Sequence, residues 1–152
     1  MEAFNRQLND LLVDTFKIII KIEEVSIRRT GCDLSVSEVH ILEAAAKGGT
    51  DGRTISDIAE DLRITLPSVT IAINKLVKKG HVQKIKTASD GRMVFVVLTP
   101  EGQKMEMAHR YFHKRLVSNL AAELNEEEKE SLYNAMIKMN GFFERRLLKE
   151  KQ

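Results

Sequence analysis

Tryptophan is absent from this chain, cysteine occurs once and proline only twice in 152 residues. With Cys32 alone, no internal disulfide can form. That excludes a small cross-linked secreted domain and makes a reducing cytoplasm the expected setting. No apolar run is long enough to span a bilayer: residues 16–22 are strongly apolar, but the run is short and carries Lys17 and Lys21. Neither a secretory signal nor a membrane span is expected. A nucleophile elbow, a phosphate-binding glycine loop and a zinc-protease motif are all missing, so the chain is not expected to be an enzyme or to need a cofactor. Net charge is only +2, too small by itself to announce a polyanionic partner. What is plentiful is charge of both signs, at 30%, in a chain that is 43% hydrophobic and holds eight glycines. This is the composition of one helix-rich globular domain with a real core.

The informative stretch is 65–99. Thr65 followed by Pro67 is a helix start, because a first-turn proline gives up no needed donor. Val69, Ile73, Leu76 and Val77 keep the spacing of one buried helical face. Pro67, Ser68, Ile71, Asn74, Lys75 and Lys78 form the opposite face, small and polar with a basic far end. Gly80 stands where a helix end commonly needs a left-handed residue. Two β-rich runs follow, 81–86 and 93–98, joined by a turn with Asp90, Gly91 and Arg92. A helix with a small polar face followed directly by a basic hairpin is the pattern of a winged helix-turn-helix.

The flanking chain agrees with that reading. Residues 5–29 predict a long first helix, apolar on most sides and therefore enclosed from several directions. Ser35 with Glu38 matches a capping box for a second helix through Val39, Ile41, Leu42 and Ala45. Residues 47–53 read as a loop, and Thr54 with Asp57 as another capping box for a short helix through Leu62. The brief link from 62 to 65 makes the next helix cross it steeply, as in a helix-turn-helix. Thr99 and Pro100 start a fifth helix reaching about residue 124, and Asn125 with Glu128 starts a sixth. The expected fold is mainly α with a small β wing. Residues 1–152 form a single domain: 35–102 make the winged helix-turn-helix, and 1–34 with 103–152 make a helical region. Those terminal helices carry more apolar surface than one chain needs, and a twofold homodimer is the expected partner.

Charge is distributed unevenly. Lys75, Lys78, Lys79, Lys84, Lys86 and Arg92 face only Asp90 across the hairpin region, whereas Glu123, Glu126, Glu127, Glu128 and Glu130 face only Lys129. An anionic partner is expected at the basic element. On this order of elements, and on residues 77–102 (VKKGHVQKIKTASDGRMVFVVLTPEG), the chain resembles the MarR family of bacterial transcription regulators. Its wing has glycine at position 91, where most relatives carry a second basic residue. Residues 22–29 (IEEVSIRR), 64–74 (ITLPSVTIAIN) and 109–117 (HRYFHKRLV) look like the FabT-type fatty-acid-synthesis repressors of that family. The resemblance implies a homodimeric repressor on double-stranded DNA with a pseudo-palindromic operator, responding to acyl chains on acyl carrier protein. The alternatives carried beside it are a repressor of stress or efflux genes answering another apolar ligand or oxidation, and a winged-helix module that binds an acidic protein.

On that resemblance, Ser68, Thr70 and Asn74 would address base edges or phosphates in the major groove, and Pro67 and Ile71 thymine methyls. Lys75 and Lys78 would meet phosphates and set register. Arg92, oriented by Asp90, would enter the adjacent minor groove. Thr54 and Ser56, at a helix N-terminus, are further phosphate contacts through backbone N–H groups. Phe16, Ile19, Ile20, Met105, Ala108 and Phe112 are the expected lining of an apolar effector slot. Aliphatic stripes of this kind are more often plain core. An oxidant-sensing Cys32 would need a low-pKa, accessible thiolate, which Arg28 and Arg29 would favour; a small apolar residue is the simpler reading. His109 and His113, four apart on one helix face, have a zinc-compatible spacing. Glu106 is close, but no second pair of donors stands near them in sequence, so no metal is expected.

Overall fold

The computed structural model describes residues 1–86 and 93–150. The chain runs α1 (Glu2–Arg29), α2 (Val36–Ala46), β1 (Arg53–Thr54), α3 (Ile55–Leu62), α4 (Leu66–Lys78), β2 (Val82–Lys86), β3 (Val94–Leu98), α5 (Pro100–Ala122) and α6 (Glu126–Glu150). It divides into two compact units, Met1–Tyr111 and Phe112–Gln152. This is the mainly α architecture with a small antiparallel sheet that the sequence predicts.

Local chemistry starts the helices where capping residues stand. Ser35 Oγ accepts from the Glu38 N–H at 3.2 Å, and Glu38 Oε2 accepts from the Ser35 N–H at 2.8 Å. Thr54 and Asp57 close the same reciprocal pair before α3, and Asn125 with Glu128 before α6. Such pairs satisfy donors that the first helical turn would otherwise leave unmatched. Thr65 caps α4 through the Ser68 N–H, and Thr99 caps α5 through the Gly102 N–H. Gly80 follows α4 at φ +78°, a left-handed conformation that costs a side-chain-bearing residue energy.

Long-range pairing changes the reading at one place. Residues 47–53 were expected to be a loop, yet Arg53 pairs with Val96 and Thr54 with Phe95, making β1 the third strand in the order β1-β3-β2. Gly52, at φ +76°, admits this approach: a Cβ there would sit 2.7 Å from Val97 Cγ1 and 2.8 Å from the Val96 carbonyl oxygen. In the hairpin, Val82 pairs with Leu98 and Lys86 with Val94. The core of the first unit gathers Ile27 from α1, Val39 and Leu42 from α2, Ile58 from α3, Val69, Ile73 and Leu76 from α4, Val96 from β3 and Met105 from α5. Cys32 packs half-buried against it.

Between α3 and α4 the chain turns at Arg63, in the left-handed region at φ 56°, ψ 33°. Its N–H donates to the Glu60 carbonyl and the Ile64 N–H to that of Ala59, which ends α3 in time for α4 to begin at Leu66. No helix among the described residues is long and apolar enough to cross a membrane.

Candidate nucleic-acid interface

α4 owes its orientation to its buried stripe. Val69, Ile73 and Leu76 are fully enclosed. Burying three such side chains stabilises the placement by roughly 1.5–3 kcal/mol each. Val77, expected on that stripe, is 40% exposed. It follows Leu76 by one residue, a 100° step around the helix that carries it past the edge of the core.

The opposite face is open. Pro67, Ser68, Ile71, Asn74, Lys75 and Lys78 are all exposed, with Ile71 at 59%. An isoleucine this bare between polar neighbours presents a methyl-bearing knob to whatever covers the helix. Thr70 is partly buried and donates its hydroxyl to the Leu66 carbonyl at 2.9 Å. Ser68 Oγ lies 2.7 Å from Thr65 Oγ1 and so belongs to the cap as well as to the face. Asn74 Oδ1 accepts from Lys84 Nζ at 2.7 Å. That bond ties the middle of α4 to β2, so helix and hairpin present their polar groups as one surface. It also leaves the Asn74 amide NH2 directed by a fixed partner, an advantage for any group that must read an edge.

The basic run is not uniform. Lys79 Nζ donates to the Asp33 carbonyl at 2.6 Å and to Glu38 at 3.0 Å. Its charge is spent on holding α2 to α4. Burial raises the Glu38 carboxyl, but the Ser35 N–H and Lys79 outweigh it and hold the group below its ordinary value. Lys75, Lys78, Lys84 and Lys86 are exposed cations among the described residues of this face, Lys84 being the one bonded to Asn74. Asp90 and Arg92, the expected wing pair, lie outside the described residues.

Beside α4 lies a surface cleft of about 650 Å³ lined by Ser35, Ser37 and Glu38 of the α2 start and by Ser68, Ile71, Ala72 and Lys75 of α4. Exposed Ser37, in the first turn of α2, faces the same groove as the polar face of α4. The sequence marks this point only as a capping box; that it opens beside α4 depends on the crossing of the two helices. Thr54 and Ser56 stand at the α3 start, with Thr54 half-buried in its capping pair and Ser56 exposed. The Thr54 hydroxyl and N–H hold the Asp57 carboxyl below the ordinary carboxylate range. Arg53 fixes this corner, donating to the Ala44 carbonyl, the Asp57 carbonyl and the Asp61 carboxylate. Lys47 and Arg53 together depress Asp61, the Lys47 hydrogen bond most of all.

The residues expected to line an effector slot differ in burial. Met105 is in the core, and Thr30 Oγ1 lies 3.6 Å from its sulfur. Phe16, Ile19 and Ile20 are exposed along α1, Ala108 is exposed on α5, and Phe112 is partly covered in the second unit. Ile20 does line a cleft of about 540 Å³, but with Glu24, Arg28, Leu34, Ser35, Val36 and Ser37.

Residues 33–93 match the model of the MarR family. The solved structure of Streptococcus pneumoniae FabT in complex with DNA superposes with a TM-score of 0.86 at 28% identity, covering 93% of this chain and 98% of that one. Two Bacillus subtilis (strain 168) proteins named as uncharacterized HTH-type transcriptional regulators also align. YfiV is 30% identical over 105 residues, 68% of this chain and 64% of its own length. YhjH is 27% identical over 82 residues, 54% of this chain and 46% of its own. The chain thus spans about half of one curated relative and under two thirds of the other.

Proposed function

The chain belongs to the MarR family of winged-helix transcription regulators, and from that premise we propose that it binds double-stranded DNA sequence-specifically as a homodimeric repressor. The observation that carries this reading is the division of α4 into a fully buried stripe and an open polar face anchored to β2 by the Asn74–Lys84 bond. A helix so presented suits the major groove, which admits an α-helix and displays distinct base edges. Ser68, Asn74 and Ile71 are the readers, with Pro67 and Thr70 at their side. Lys75, Lys78 and the α2 and α3 starts at Ser37, Thr54 and Ser56 are phosphate contacts that fix register. Asp90 and Arg92 extend the surface into the minor groove. The dimer is built from 1–34 and 103–152, and it sets two α4 helices about 34–36 Å apart on a pseudo-palindromic operator.

Its targets are fatty-acid-synthesis genes, and its effector is a long acyl chain carried on acyl carrier protein. The supports are the FabT-like segments 22–29, 64–74 and 109–117 and the likeness to FabT over nearly the whole chain. The experiment is fluorescence anisotropy with the DNA upstream of the protein's own gene, across a salt series. Binding should weaken steeply with salt, and Lys78→Ala should flatten the log–log slope by about one unit. Indifference to that DNA at low salt would refute DNA binding. A long-chain acyl carrier protein that leaves operator affinity unchanged would refute the effector assignment alone.

A further inference from the structure

Away from α4, three helices bring together ligand atoms that lie far apart in sequence. Glu23 of α1, His40 of α2 and His109 of α5 each offer a donor, all within 4.8 Å of one another. Glu23 Oε2 is 3.6 Å from His40 Nε2, and Glu23 Oε1 is 4.0 Å from His109 Nε2. These separations exceed a hydrogen bond. They approach the spacing of roughly 3.4 Å between neighbouring donors around a tetrahedral zinc with bonds near 2.0–2.1 Å. Glu23 and His109 are nearly inaccessible, at 4% and 2% exposure.

A second observation points the same way. His109 Nδ1 lies 2.8 Å from Glu43 Oε1. A carboxylate only accepts, so Nδ1 carries the proton. In the neutral ring, Nε2 then presents its lone pair toward Glu23 and His40. A metal-binding histidine is commonly oriented by this carboxylate arrangement, which fixes the tautomer and raises the basicity of the ligating nitrogen. His40 and Glu43 also line a cleft of about 640 Å³ with Lys47, Asp61 and Arg110, which opens an approach from solvent.

We propose that Glu23, His40 and His109 form a binding site for a divalent transition-metal ion of the zinc class, with Glu43 as the group that orients His109. Two imidazoles and a carboxylate suit Zn²⁺ and Co²⁺ better than Ca²⁺ or Mg²⁺, which prefer all-oxygen shells. The fourth place of a tetrahedral ion is open to water. A bound ion would couple α1 to α2 and α5, joining the apolar first helix to the winged-helix core.

The test uses untagged full-length protein stripped with a chelator. Titration with Co²⁺ should give visible d–d absorption saturating at one ion per chain, bleached by Zn²⁺. His40→Gln, at a half-exposed position, and Glu23→Gln should each weaken Co²⁺ binding at least about tenfold, and Glu43→Gln by about 10–100-fold. Zn²⁺ should raise the melting temperature of the wild type and leave that of His40→Gln unchanged, with circular dichroism confirming that the variant folds. Absence of Co²⁺ absorption, or equal affinity in wild type and His40→Gln, overturns the proposal. No readout involves DNA, so this outcome is independent of the proposed function.

Discussion

α1 and α4 belong to one compact unit, yet they treat their side chains in opposite ways. α4 buries Val69, Ile73 and Leu76 and shows solvent serine, asparagine and lysine. α1 buries Glu23 and Ile27 and leaves Leu11, Phe16, Ile18, Ile20 and Val25 bare. The first is a finished amphipathic helix whose open face is at home in water and suits a polar, charged partner. The second is unfinished. A soluble monomer rarely exposes an apolar stripe this long, and a second copy of the same chain is the proposed cover. The expectation that α1 is enclosed from several directions therefore waits on that partner, since a single chain encloses little of it.

Four substitutions or conditions probe this contrast, in order of expected size. Ile73→Ala, on the buried stripe of α4, should lower unfolding free energy by about 2–5 kcal/mol in urea denaturation. A loss within the error of a surface change would mean the stripe does not hold α4. Ile18→Asp, on the bare side of α1, should leave the fold of each chain intact by circular dichroism. It should also raise the dimer dissociation constant about a hundredfold, or ~2.7 kcal/mol, by sedimentation. An unaltered dimer would remove Ile18 from the interface and weaken the contrast. Ile71→Ala, two residues from Ile73 but on the open face, should change stability by no more than about 0.5 kcal/mol. Operator affinity should fall about tenfold, as for one lost base-edge contact. Equal operator binding by Ile71→Ala and wild type would take the methyl reader off the list.

The smallest effect concerns the α2–α4 tie. The Glu38 carboxyl is held below its ordinary value of 4.5 despite the burial that raises it, because the Ser35 N–H and Lys79 favour the charged form. A depressed carboxyl stabilises the fold at pH above its unfolded value, and that contribution disappears as pH falls through the folded one. The stability gap between wild type and Glu38→Gln should therefore be widest near neutrality and close below pH 4.5. A gap that grows in acid would reverse the sign and discard the assignment.

The legible part of this molecule was local. Ser35–Glu38, Thr54–Asp57 and Asn125–Glu128 each link residues three apart, so both partners appear in one short window of sequence. Gly80 and the polar face of α4 were equally plain, because helical period and end chemistry act within a turn or two. Pairing across the chain was not. β1 needs Val96 and Phe95, some forty residues on, and nothing in 47–53 names them. Lys79 looked like part of a basic surface; its partners, Asp33 and Glu38, are more than forty residues upstream. The turn at Arg63 carried no glycine to announce a left-handed residue.

Histidine shows the division most sharply. His109 and His113 were visible as a pair on one helix face, with Glu106 close but no second pair of donors near them in sequence. Glu23, His40 and Glu43 are all more than sixty residues before His109, on two other helices. Sequence alone determined the elements, their caps and the polar side of α4, since backbone hydrogen bonding and helical period depend on near neighbours. Tertiary structure alone decided which charges are spent internally, which strand joins the hairpin and which imidazoles meet. Those outcomes follow from how the buried stripes of separate helices pack into a common core, and no local window of residues encodes that packing.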